Sequence, residues 1–132
     1  MDGGRTGLVK ALLVGAGGFA GAVGRWALAG LAHRLAPLTT FPVGTLAVNL
    51  LGCLAIGVVA GLAESRQLFG PEARLFLLVG LLGGFTTFST FGNETFAMLR
   101  DGEGLRAAAN VGVHLVAGLA LVWLGHFLTA SR

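Results

Sequence analysis

Two stretches of the chain, Leu35–Ala63 and Ala107–Ser131, contain no Asp, Glu, Lys or Arg. Each is longer than the roughly 20 apolar residues that a helix needs to cross about 30 Å of hydrocarbon. Over the 132 residues 55% are apolar and 11% charged, which leaves too few charges to coat a water-facing surface. The chain is therefore read as an all-α integral membrane protein. Its hydropathy excludes disorder, and its single cysteine, Cys53, excludes a disulfide scaffold and reads as a packing residue. His33, His114 and His126 are scattered, with no HExxH pair, so zinc chemistry is not indicated. Nine Lys/Arg against six Asp/Glu give a formal charge of +3. They are spread along the chain, as membrane flanks rather than a nucleic-acid footprint. No region outside the apolar segments is long enough for a second domain, which leaves one domain over 1–132.

Charged and proline-bearing segments divide the chain into four spans, at about residues 8–31, 43–63, 72–99 and 105–128. Arg5 and Lys10 before Ala11–Gly24, with Ala27-Leu28-Ala29 beyond, mimic a secretory signal. Arg25 interrupts that pattern, and cleavage would leave an odd number of spans, so the segment is read as a retained first helix. Four spans put both termini on one side of the membrane. Arg5, Lys10, Arg66, Arg74 and Arg132 fall on that side, against Arg25, Arg34, Arg100 and Arg106 on the other. Five against four is almost no positive-inside bias. Either the orientation signal is merely weak, or the chain inserts both ways and opposed copies pair. Glycine supplies 23 residues, and Gly17–Gly21, Gly57–Gly61 and Gly80–Gly84 are small-xxx-small pairs that imply close helix packing, in a compact bundle or an oligomer.

The third span is the most specific. Gly83-Gly84-Phe85-Thr86-Thr87-Phe88-Ser89-Thr90-Phe91-Gly92 is a poor helix interior, because paired glycines precede β-branched and hydroxyl residues. A helix break is expected near Gly83–Thr87, and freed backbone at membrane depth must be buried in protein or line a polar cavity. The alternative is a glycine kink satisfied by neighbouring hydroxyls. Beyond it, helical spacing puts Thr87, Thr90 and Glu94 on one stripe and Phe88 and Phe91 on the next. Asn49, Glu94, Asn110 and His114 are the other polar groups within spans, where such groups mark function or helix–helix bonding. Asn49 serves equally as an interhelical bond or a pathway donor, and Arg25 as a vestibule cation or a snorkelling anchor.

Gly17-Gly18-Phe19-Ala20-Gly21-Ala22 with Arg25, then Gly44-Thr45-Leu46-Ala47-Val48-Asn49-Leu50-Leu51-Gly52, then Gly83-Gly84-Phe85-Thr86-Thr87-Phe88-Ser89-Thr90-Phe91, resemble the Fluc (CrcB) fluoride channel family in order and spacing. The resemblance covers essentially the whole chain. It implies a four-helix channel with a broken third helix, assembled as an antiparallel, dual-topology homodimer in the bacterial inner membrane, that lets fluoride out of the cytoplasm. It implies a structural Na⁺ at the dimer centre, held by the backbone carbonyls of Gly83 and Thr86. It also implies that Phe88 and Phe91 are the pore phenylalanines and Asn49 the polar pore residue. Thr87, Ser89 and Thr90 match the hydroxyl-bearing stretch, Arg25 the arginine of the first helix, and Glu94 the acid that follows the phenylalanines. His114 stands where a pore-facing serine is common in the family, which brings in either a titratable donor or a helix bridge.

The chemistry of the residues agrees. Fluoride is small and strongly hydrated, so a pathway must replace its water with amide and hydroxyl donors and the positive edges of aromatic rings. A fixed cation at the midplane would offset part of the dehydration cost. The rival reading is a small dual-topology, proton-coupled multidrug exporter. It needs a membrane-embedded acid, usually in the first helix, where this chain has only Arg25; Glu94 would have to serve. No nucleophile–base pair or metal-ligand set suggests an enzyme.

Overall fold

Helices occupy most of each of the four spans in the computed structural model, which describes residues 3–130; Arg132, counted above, lies outside the described residues. The first span is α1, Gly3–Leu35, and the second is α2, Val43–Ser65. The third is wound in two pieces, α3 over residues 71–85 and α4, Phe88–Arg100. The fourth is α5, Gly104–Ala130. All four spans are long and apolar enough to cross a membrane, and no strand occurs among the described residues. α1 extends beyond the 8–31 read from hydropathy because hydropathy marks the apolar middle of a helix, whereas backbone bonding continues into its polar ends.

Local chemistry sets the ends. Gly70 is extended and Pro71 takes the first helical position of α3, where its missing N–H costs nothing, with Glu72 in the first turn. α4 stops at Gly102, whose φ of +79° lies in the left-handed region that glycine tolerates. There the Gly102 and Glu103 N–H groups return to the carbonyls of Leu99 and Met98.

Two glycine seams assemble the bundle. Along one, α1 lies against α3: a Cβ at Gly17 would stand 2.5 Å from the Phe76 carbonyl oxygen, and one at Gly84 2.6 Å from the Gly18 carbonyl oxygen. Two of the small-xxx-small pairs therefore face each other. Along the other, α2 lies against α5, with Gly57 under the Val122 backbone and Gly125 under that of Leu54 and Val58. Backbone approach this close gives dispersion and packing energy where lipid offers no hydrophobic drive. Leu75–Leu82, within α3, is wound as a π-helix. Nothing in its run of leucines announces that winding, which is found on the stretch seated against the glycine face of α1 and leading into the interrupted segment. Among the described residues Val48 on α2 and Asn110 on α5 are the largest fully buried side chains, so the middle of the bundle is partly polar.

Candidate functional site

Between α3 and α4 two residues leave the helix. Thr86 (φ −81°, ψ 157°) and Thr87 (φ −147°, ψ 111°) are both extended, whereas Gly83 keeps helical angles. The interruption follows the paired glycines rather than falling on them. β-Branched threonines suit extended backbone, and each finds a hydrogen bond there. The Thr86 hydroxyl donates back to the Leu82 carbonyl at 3.0 Å. Thr87 caps α4: its hydroxyl accepts from the Thr90 N–H at 3.3 Å and donates to the Thr90 hydroxyl at 2.9 Å.

Asn49 holds the extended segment. Its Nδ2 donates to the Thr87 carbonyl at 3.1 Å, and its Oδ1 accepts from the Thr87 N–H at 2.9 Å. One primary amide thus replaces both helical partners of a single residue at membrane depth, where unpaired backbone groups are expensive. One Nδ2–H remains for another acceptor.

The same pairings release two carbonyls. The helical partner of Gly83 would be the Thr87 N–H, which goes to Asn49, and that of Thr86 would be the Thr90 N–H, which goes to the Thr87 hydroxyl. Uncommitted peptide oxygens in unwound backbone are hard, neutral donors of the kind that Na⁺ takes, so these two residues fit the implied ion chemically.

An open cleft of about 350 Å³ runs beside this segment. Asn49, Cys53, Gly83, Thr86, Thr87, Phe88, Phe91 and His114 are among its walls. Phe91 lies between two rings, 5.6 Å from Phe88 and 4.5 Å from His114, centroid to centroid. Phe88 is 82% exposed, so its ring contributes little to the fold of one subunit. Of the candidate residues read from sequence, the cleft collects Asn49, Gly83, Thr86, Thr87, Phe88, Phe91 and His114.

The others lie elsewhere. Ser89 and Thr90 are exposed on the first turn of α4, and Thr90 reaches the cleft only through Thr87. Glu94 borders a second recess, of about 320 Å³, with Asp101, Glu103 and Arg106 near the α4–α5 turn. Half-buried Arg25, on α1, lines neither space. Two further residues matter to it: Thr45, to which the sequence reading assigns no role, and Asn110, read there as an in-span polar group without a place in the pathway. Thr45, one helical turn before Asn49, donates its hydroxyl to Glu94 Oε1 at 2.7 Å. Asn110, one turn before His114, donates Nδ2 to the Thr95 hydroxyl at 2.9 Å, and its backbone carbonyl holds the His114 ring. Asn110 was legible as a polar group within a span, and for Thr45 the four-residue spacing to Asn49 was the signal available.

The chain was compared with known proteins. The family described as "CrcB-like protein, Camphor Resistance (CrcB)" matches residues 12–126. A fluoride-specific ion channel FluC of Nitratidesulfovibrio vulgaris (strain Miyazaki F) is 47% identical over 116 residues, 88% of this chain and 93% of that protein. Proteins of the same name from Chlorobaculum tepidum and Methylobacillus flagellatus are 52% and 45% identical, over 89% of this chain and 91% and 92% of theirs.

Proposed function

The chain belongs to the CrcB-like family, and on that premise we propose that it is a fluoride-selective ion channel of the bacterial inner membrane, lowering cytoplasmic fluoride by passive efflux. The observation that carries the reading is the Asn49 clamp on Thr87. It maintains an extended segment inside a membrane-spanning bundle, next to a cleft walled by Phe88, Phe91 and a remaining amide N–H. A dehydrated anion needs that combination of donors and ring edges at close range.

In this reading fluoride follows Phe88 and Phe91 past Asn49, Thr87 and His114. Ser89, Thr90 and Glu94 line its continuation, and Arg25 supplies positive potential near one end. The cleft is open on one side and Phe88 is bare, which supports an antiparallel second copy as the missing wall. The released carbonyls of Gly83 and Thr86, doubled by that copy, would hold a structural Na⁺ that is not transported.

Fluoride efflux from KF-loaded liposomes containing the purified protein tests the function. Rapid fluoride release without chloride release is the expected result. No release from folded protein overturns the channel and returns attention to proton-coupled export through Glu94. A first variant follows from the exposure of Phe88. Phe88→Ile or Phe91→Ile should cut fluoride efflux at least about tenfold, or about 1.4 kcal/mol of barrier, while the protein keeps its size-exclusion profile. Wild-type efflux in both would make the rings packing residues.

A further inference from the structure

We infer that Asn110 is a positioning residue for conduction: from a buried place beside the cleft it fixes both Phe91 and His114, the two rings that meet there. The inference rests on the channel reading of that cleft. Asn110 is 0% exposed and walls neither the cleft nor the second recess, so it acts through other residues. Its side chain and its backbone reach the two rings separately. Nδ2 donates to the Thr95 hydroxyl at 2.9 Å, and that hydroxyl donates to the Phe91 carbonyl at 2.8 Å. The backbone carbonyl of Asn110 accepts from His114 Nδ1 at 2.9 Å, which sets the imidazole 4.5 Å from the Phe91 ring, centroid to centroid.

The Thr95 hydroxyl has a single hydrogen. With the Asn110 N–H on its oxygen, that hydrogen is left for the Phe91 carbonyl, and each bond strengthens the other. The helix α4 needs such a hold. Among the described residues Met98 is the one buried side chain of α4, so burial within the subunit does little to fix how the helix is rotated. Side-chain bonds do that instead: Asn49 and Thr45 of α2 reach Thr87 and Glu94, and Asn110 of α5 reaches Thr95.

Rotation matters because a phenylalanine ring is positive at its edge and negative on its face. A turn of α4 that swaps edge for face makes Phe91 repel an anion that it otherwise attracts. Stability alone does not call for an amide at this place. Asn110 Oδ1 is buried with no partner among the described residues, a cost that leucine, branched at the same carbon, avoids.

The test measures fluoride efflux from liposomes, scaled to folded protein, beside unfolding midpoints in one detergent. Thr95→Val and Asn110→Leu should each cut efflux at least about tenfold, or about 1.4 kcal/mol of barrier. Thr95 is half-buried and valine has its shape, so Thr95→Val covers the case in which Asn110→Leu does not fold. By itself Thr95→Val leaves the Asn110 amide without its acceptor and should lower the midpoint. The double variant Thr95→Val/Asn110→Leu removes both partners, so its midpoint should recover while its efflux stays low. Recovery of efflux together with the midpoint would make the pair structural glue and overturn the inference. Thr95→Ser keeps the hydroxyl and should stay within about twofold of the unaltered rate. A loss as deep as that of Thr95→Val would put the effect on the methyl group, and overturns the inference as well. Unaltered rates in folded Thr95→Val or Asn110→Leu overturn it and leave the channel standing. No fluoride efflux from the folded, unaltered protein overturns both.

Discussion

Asn49→Asp should lower fluoride efflux at least about 100-fold, equivalent to about 2.7 kcal/mol of barrier. The substitution keeps shape and leaves Oδ1 to accept from the Thr87 N–H. It puts a second oxygen where Nδ2 now donates to the Thr87 carbonyl at 3.1 Å, so two acceptors face each other. It also removes the spare N–H and adds negative charge beside an anion's route. A buried hydrogen bond turned into a repulsion costs more than the bond itself was worth, because the carbonyl keeps its desolvation penalty. Efflux near the unaltered rate would exclude Asn49 from the pathway and from control of the extended segment. Efflux lost only together with the folded protein, by thermal unfolding, would assign it to structure alone.

Gly21→Ala should be the most destabilising of the conservative changes. A Cβ there would overlap the Leu81 carbonyl oxygen and stand 2.8 Å from the Phe85 backbone nitrogen. Neither obstacle is a flexible side chain, so relief requires α1 and α3 to separate, at the point where α3 leads into Thr86 and Thr87. Overpacking typically costs about 1–3 kcal/mol, and backbone obstacles put this position at or above about 3 kcal/mol. Gly15→Ala, on the same helix with nothing within 4 Å, is the control. It should be neutral or stabilising, since alanine is the better helix former by about 1 kcal/mol. Unfolding midpoints in one detergent compare the two, and equal midpoints would mean that the α1–α3 seam is looser than described.

The two residues illustrate how unevenly the sequence reveals the molecule. Gly21 was visible as half of a small-xxx-small pair, but its partners were not. Spacing says that a face is small without saying what lies against it, and here Gly17 meets Gly80 while Gly21 meets the backbone of Leu81 and Phe85. Asn49 was visible as a polar group at membrane depth, with interhelical bond and pathway donor both open. Its amide is in fact bonded to backbone on a neighbouring span, 38 residues away in sequence, while it borders the cleft. The paired glycines drew attention to the right stretch of the third span, yet they stay helical and the threonines after them are extended. The π winding of Leu75–Leu82 had no sequence signal, because a run of leucines satisfies either helix.

The sequence by itself determined the solvent, the number of spans and the resemblance to a channel family. Uncharged length against bilayer thickness is a one-dimensional quantity, and so is the order of motifs along a chain. Only the tertiary structure decided which polar atoms are occupied and which are available. It committed the Asn49 amide and the threonine hydroxyls to backbone and to each other, brought Thr45 to Glu94, and left His114 Nε2 without a partner among the described residues. Hydrogen bonding is short-ranged and directional, so a donor's role depends on what the fold brings within about 3 Å of it. No spacing along one helix contains that distance.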